Sequence, residues 1–128
     1  MIIGIGTDVC AISRIQKIVK RATPLFYQRL LSESELVYYT NLAGRRQRLQ
    51  WLAGVYAAKE AALKACKVGI DGRYGFHMLS TLNPSSSRPQ LTLPSNLMAA
   101  LGDDIRCHLA IHYCTSMAVA FVVIEKVI

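Results

Sequence analysis

The chain has 128 residues, 52% of them hydrophobic and 18% charged, with a net charge of +7. That length buries one core but not two, so the reading is a single domain over residues 1–128, with its site on one chain or shared between chains. No cationic leader precedes the first apolar run, and no stretch approaches the roughly 20 apolar residues that span a bilayer, which argues for an unexported, cytoplasmic protein with no membrane partner.

Residues 1–8 (MIIGIGTD) alternate as a strand, with Met1, Ile3 and Ile5 on one face and Gly4, Gly6 and Asp8 on the other. The two glycines clear space beside Asp8. A helix follows in which Ile12, Ile15 and Val19 share one face while Arg14, Lys17 and Arg21 project from nearly the opposite one, with Ile18 at the margin. Thr23 and Pro24 read as an N-cap and a first helical residue, opening a short helix through Leu31. Ser32 to Glu35 form a capping box leading into a third helix. After a break at Asn41 to Gly44 come Arg45, Arg46 and Arg48, and then a helix-favouring, alanine-rich stretch from Leu49 to Cys66. The pattern then turns to strands: His77 to Leu82, a turn at Asn83 to Ser87, and Gln90 to Leu93. Pro94 and Ser95 start a short helix that Gly102 ends. The last segment is a hairpin, Cys107 to Tyr113 and Met117 to Glu125. The fold class is therefore α+β, with helices packed on an antiparallel sheet.

Charge is placed unevenly. Residues 1–75 hold 12 of the 15 Lys and Arg but 5 of the 8 Asp and Glu, and so carry the whole excess. An anionic ligand or partner fits this, as does a well-solvated surface. Cys10, Cys66, Cys107 and Cys114 form no C-x-x-C pair and have no histidines at zinc-finger spacing, so they read as reduced, partly buried thiols. Within the long helix, Glu60 and Lys64 are spaced i, i+4 on a face shared with Ala53, Tyr56 and Ala57, where small residues leave room. A carboxylate in so apolar a helix needs a cation, which Lys59, Lys64 or a metal would supply. Asp8 offers a second carboxylate, and two carboxylates plus phosphate oxygens are what Mg²⁺ typically takes. The competing reading of Asp8 is a helix N-cap.

Gly4-Ile5-Gly6-Thr7-Asp8 with Arg14-Ile15, followed by Leu52-Ala53-Gly54 and Tyr56-Ala57-Ala58-Lys59-Glu60-Ala61 with Lys64-Ala65, closely resembles the two signatures of the holo-acyl-carrier-protein synthases. Leu31-Ser32-Glu33, Arg88-Pro89 and Ala118-Val119-Ala120-Phe121 extend the likeness over nearly the whole chain. The resemblance implies a Mg²⁺-dependent transferase that moves the phosphopantetheine arm of coenzyme A onto a serine of acyl carrier protein, in support of fatty acid biosynthesis. It implies that Asp8 and Glu60 ligate the metal and that Lys64 stabilises phosphate charge. Arg45 and Arg46 are expected, with Lys64, to bind coenzyme A. The helix bearing Arg14, Lys17, Ile18 and Arg21 is expected to dock the acidic carrier, and the family's trimer places each site at a subunit boundary.

The sequence also departs from the family pattern. Val55 stands where many relatives have arginine, Phe76-His77-Met78 replaces an acidic strand start, and His112 is one place off a histidine of the family, which turns it to the other face of its strand. These departures motivate an alternative, a catalytically weak relative that binds coenzyme A or carrier protein. A nucleic-acid binder is disfavoured, because no binding motif or paired strand aromatics are present.

Overall fold

The N-terminal alternation forms strand β1, Ile2–Ala11, which runs on past Asp8 instead of ending there. The computed structural model describes residues 1–68, 73–83 and 86–127. After β1 come four helices, α1 (Ile12–Arg21), α2 (Pro24–Leu30), α3 (Glu33–Asn41) and α4 (Arg45–Ala65). A 3-10 turn (Phe76–Met78), helix α5 (Ser95–Leu101) and strands β2 (Ile105–Tyr113) and β3 (Met117–Lys126) complete the order. The strands make one antiparallel sheet in the order β1-β3-β2, so the first strand pairs with the last. This is the expected α+β architecture, with a contiguous core between the sheet and α4.

Glycine decides which face of β1 is covered. Gly4 and Gly6 lie on the buried face, while Ile5 and Val9 are 65% and 53% exposed. A Cβ at Gly4 would stand 1.8 Å from the carbonyl oxygen of Ala65, and one at Gly6 would stand 1.9 Å from that of Ala61. The space that the glycines clear is thus filled by the backbone of α4, not left open beside Asp8. Alanines at 57, 58, 61, 62 and 65 complete this close approach and are buried. The opposite sheet face, with Ile5, Val9, Met117 and Phe121, is exposed on this chain.

The Ser32–Glu35 capping box forms as expected, with the Ser32 amide donating to Glu35 Oε1 at 2.9 Å and the Glu35 amide to Ser32 Oγ at 3.3 Å. Its carboxylate does more than cap. Glu35 is fully buried against Lys59 of α4, and its other oxygen accepts from the backbone amide and the hydroxyl of Thr81, each at 2.8 Å. Lys59 also donates to the Leu30 carbonyl at 2.7 Å. One buried ion pair therefore joins the end of α2, the start of α3, the middle of α4 and the segment after the 3-10 turn. One expectation fails here. The strand expected at His77 to Leu82 begins instead as the 3-10 turn and pairs with the 90–93 segment through a single bridge, Ser80 with Thr92. The next amide due to face that segment, Leu82 N–H, donates instead to Ser80 Oγ at 3.3 Å, and Gln90 N–H goes to the Thr81 carbonyl, so the ladder does not extend. Of the turn expected at Asn83 to Ser87, Pro84 and Ser85 lie outside the described residues.

Candidate active site

Close packing of β1 on α4 brings Asp8 beside Glu60 and Lys64. Lys64 Nζ donates to Asp8 Oδ1 at 3.0 Å and to the Thr7 carbonyl at 3.3 Å. The Asp8 side chain is 14% exposed and that of Lys64 57%, so the carboxylate is set back while the ammonium reaches toward solvent. Asp8 is not a helix cap: it sits within the ladder opposite Ala120, and the N-cap of α1 is Ala11, which offers no side-chain cap.

The Glu60 carboxyl faces Asp8, and burial, then Asp8, push Glu60 above the usual carboxylate range. Two carboxyl groups hold that arrangement only with a proton or a cation between them. Hard oxygen donors in such a pair fit Mg²⁺, which takes one or two protein carboxylates and completes its shell with water and phosphate. Among the described residues no group of three or more His, Cys, Asp or Glu side chains stands together as a metal cage. Lys59, one of the two lysines proposed to meet Glu60, is turned away into the pair with Glu35.

Tyr56, one turn before Glu60, is the site residue to which sequence reasoning gave no role. Its hydroxyl accepts from Arg14 Nη2 at 3.2 Å, with the Glu60 carboxyl one turn along the same helix face. The Arg14 guanidinium lies over its ring at 5.1 Å from the centroid, and Phe76 packs edge-on against it at 5.6 Å. The i, i+4 spacing of Tyr56 and Glu60 was the available signal. Cys10 lies beneath the site, where burial pushes its thiol up to about 11 and leaves it protonated and inert at neutral pH.

The sequence and backbone match known proteins over almost their full lengths. Residues 4–122 match the family model described as the 4'-phosphopantetheinyl transferase superfamily. The chain belongs to this superfamily. It is 38% identical over 126 residues to a holo-[acyl-carrier-protein] synthase of Halalkalibacterium halodurans, covering 98% of both chains. Among solved structures, the holo-[acyl-carrier-protein] synthase of Neisseria meningitidis superposes with a TM-score of 0.85 at 31% identity, covering 98% of this chain and 100% of that one. The Helicobacter pylori enzyme, solved in complex with coenzyme A, gives 0.78 at 32% identity, with 94% and 99% covered.

Against that phosphopantetheinyl transferase pattern, the remaining expected site residues divide by position. Arg14, Lys17 and Arg21 are exposed along α1, with Ile18 half-buried between them. Arg45 and Arg46 are exposed in the first turn of α4, about 21–23 Å along the helix axis from Glu60 at 1.5 Å per residue. They cannot meet the same phosphates as this chain's own Lys64. Arg48 is structural, donating to the Leu42 and Thr40 carbonyls at 3.0 and 3.2 Å and closing the end of α3. Near the start of α4 lies a groove of about 730 Å³ lined by Tyr38, Trp51, Val55, Asn83, Arg88 and Tyr113 among others. Val55 is buried in its wall. His112 is exposed on the outer sheet face opposite Val119, away from the carboxyl pair.

Proposed function

We propose that this protein transfers the 4'-phosphopantetheine group of coenzyme A to a serine of apo-acyl carrier protein, releasing adenosine 3',5'-bisphosphate. The observation that carries this reading is the Asp8, Glu60 and Lys64 cluster, held at one end of α4 in a superfamily whose name is that reaction. The serine hydroxyl loses its proton and bonds to the pantetheine-side phosphorus, while the bond from that phosphorus to the bridging oxygen breaks. Asp8 and Glu60 hold Mg²⁺. When bound, the metal neutralises and orients phosphate oxygens, the main requirement of phosphoryl transfer. Lys64 meets the same phosphates with a mobile ammonium, and Asp8 keeps that ammonium at the site before substrate arrives.

A neighbouring subunit completes the site. The bare apolar face of the sheet supports a homotrimer, since a contiguous exposed patch of this kind marks an interaction surface. In such an assembly the groove near Arg45, Arg46 and Arg88 of one chain serves the adenosine end of coenzyme A whose phosphates lie at the carboxyl pair of another. Light scattering on the purified protein is expected to give three chains per particle, and a fully active monomer would contradict a shared site. Among the described residues no helix is long and apolar enough to cross a membrane, and we assign the activity to the cytoplasm, where carrier protein and coenzyme A meet.

The direct test is mass spectrometry of apo-carrier protein incubated with coenzyme A and Mg²⁺. The expected result is a mass gain of one phosphopantetheine, and an unmodified carrier would leave only a binding protein. The same assay reports on docking. Reversing Lys17 and Arg21 to glutamate is expected to raise KM for the carrier and flatten its salt dependence while leaving KM for coenzyme A unchanged. Parallel rises in both constants would place α1 on the phosphates instead.

A further inference from the structure

Arg14 belongs to the basic stripe of α1, yet its guanidinium is anchored inward. It both stacks on the Tyr56 ring at 5.1 Å and donates to the Tyr56 hydroxyl at 3.2 Å. Tyr56 and Glu60 stand one helical turn apart on the same face of α4, so with its oxygen taken by Arg14 the phenol has its one proton left to face the Glu60 carboxyl. In that arrangement donation runs in one direction, from Arg14 N–H to Tyr56 Oη and from Tyr56 O–H toward Glu60. Hydrogen bonds in series polarise one another, so a guanidinium on the phenol oxygen strengthens the bond the phenol makes to the carboxylate. Phe76 packs against the Tyr56 ring in a T-shaped contact at 5.6 Å between centroids, which limits the ring's movement.

We infer that Tyr56 is a positioning residue, whose hydroxyl orients Glu60 for the metal and ties that carboxylate to Arg14 on the carrier-docking helix. The inference rests on the metal and docking roles proposed above and adds a physical link between them. An arginine has five N–H donors and the phenol oxygen takes few of them, which leaves Arg14 able to receive an acidic group of the carrier from outside. Carrier docking and metal geometry then share one side chain.

The test uses Mn²⁺ bound to the protein with coenzyme A and no carrier, followed by electron paramagnetic resonance. Tyr56→Phe keeps the ring packing and removes only the hydroxyl. Loss of a partner that orients a metal ligand is expected to weaken Mn²⁺ binding about 10-fold. Arg14→Gln is expected to weaken it severalfold in the parent and not at all in the Tyr56→Phe background. In steady-state assays Tyr56→Phe lowers kcat with KM for coenzyme A unchanged. Unchanged Mn²⁺ affinity in Tyr56→Phe, with affinity lost in Asp8→Ala, would overturn the link and leave the metal pair standing. Affinity retained in Asp8→Ala would overturn the metal pair itself and the link with it.

Discussion

Replacing Asp8 or Glu60 with alanine is expected to cost transfer at least about 10²-fold to 10³-fold, the scale on which removing one preorganised electrostatic group depresses turnover. Neither loss dismantles the fold. Asp8 caps no helix, and Glu60 is only half-buried beside Tyr56. Glu60→Gln separates metal binding from stability. Glu60 is raised by burial and by Asp8, so its contribution to stability is present when it is protonated and is lost as the pH rises through its folded value. In chelator, Glu60→Gln is therefore expected to melt higher than the parent at neutral pH, with the gap closing on acidification to the ordinary carboxylate range. A variant with near-parental turnover at saturating Mg²⁺ would remove Glu60 from the metal site, and a lower Tm at neutral pH would contradict the charge crowding.

The largest loss of stability is expected from Lys59→Met. Stripping one partner from a buried ion pair typically costs about 3–5 kcal/mol, because the remaining charge stays desolvated. Here that charge is Glu35, completely buried and held in place by Thr81 and Ser32. Urea denaturation of parent and variant measures the loss. A loss below about 1 kcal/mol, the scale of an exposed pair, would mean that water reaches the network.

Lys59 and Glu60 are adjacent in one motif, and their separate fates show what could be read from sequence. Strand alternation, the capping box, the α5 boundaries and the final hairpin were legible because each depends on neighbours within a few residues. The site pair was legible from charge in an apolar setting, reinforced by family likeness. The Glu35–Lys59 pair was not, since 24 residues separate its members and each has a nearer explanation, a cap for Glu35 and an i, i+1 neighbour for Lys59. Alternation in β1 located its two faces without saying which was covered. Only the approach of the Ala61 and Ala65 carbonyls shows that the glycine face, not the isoleucine face, turns inward.

The sheet order also governs when the carboxyl pair can exist. Strand β1 carries Asp8 and is hydrogen-bonded only to β3, which starts at Met117. During synthesis, α1 to α4 emerge and can cap and pair Glu35 with Lys59 while β1 still lacks a ladder partner. Pairing contacts this distant in sequence are slow to close, because the intervening chain must be ordered first. Until β3 pairs with it, β1 can rest on α4 only through its glycine face. Pairing then fixes Asp8 in register opposite Ala120, so the placement of one proposed metal ligand depends on a strand far away in sequence.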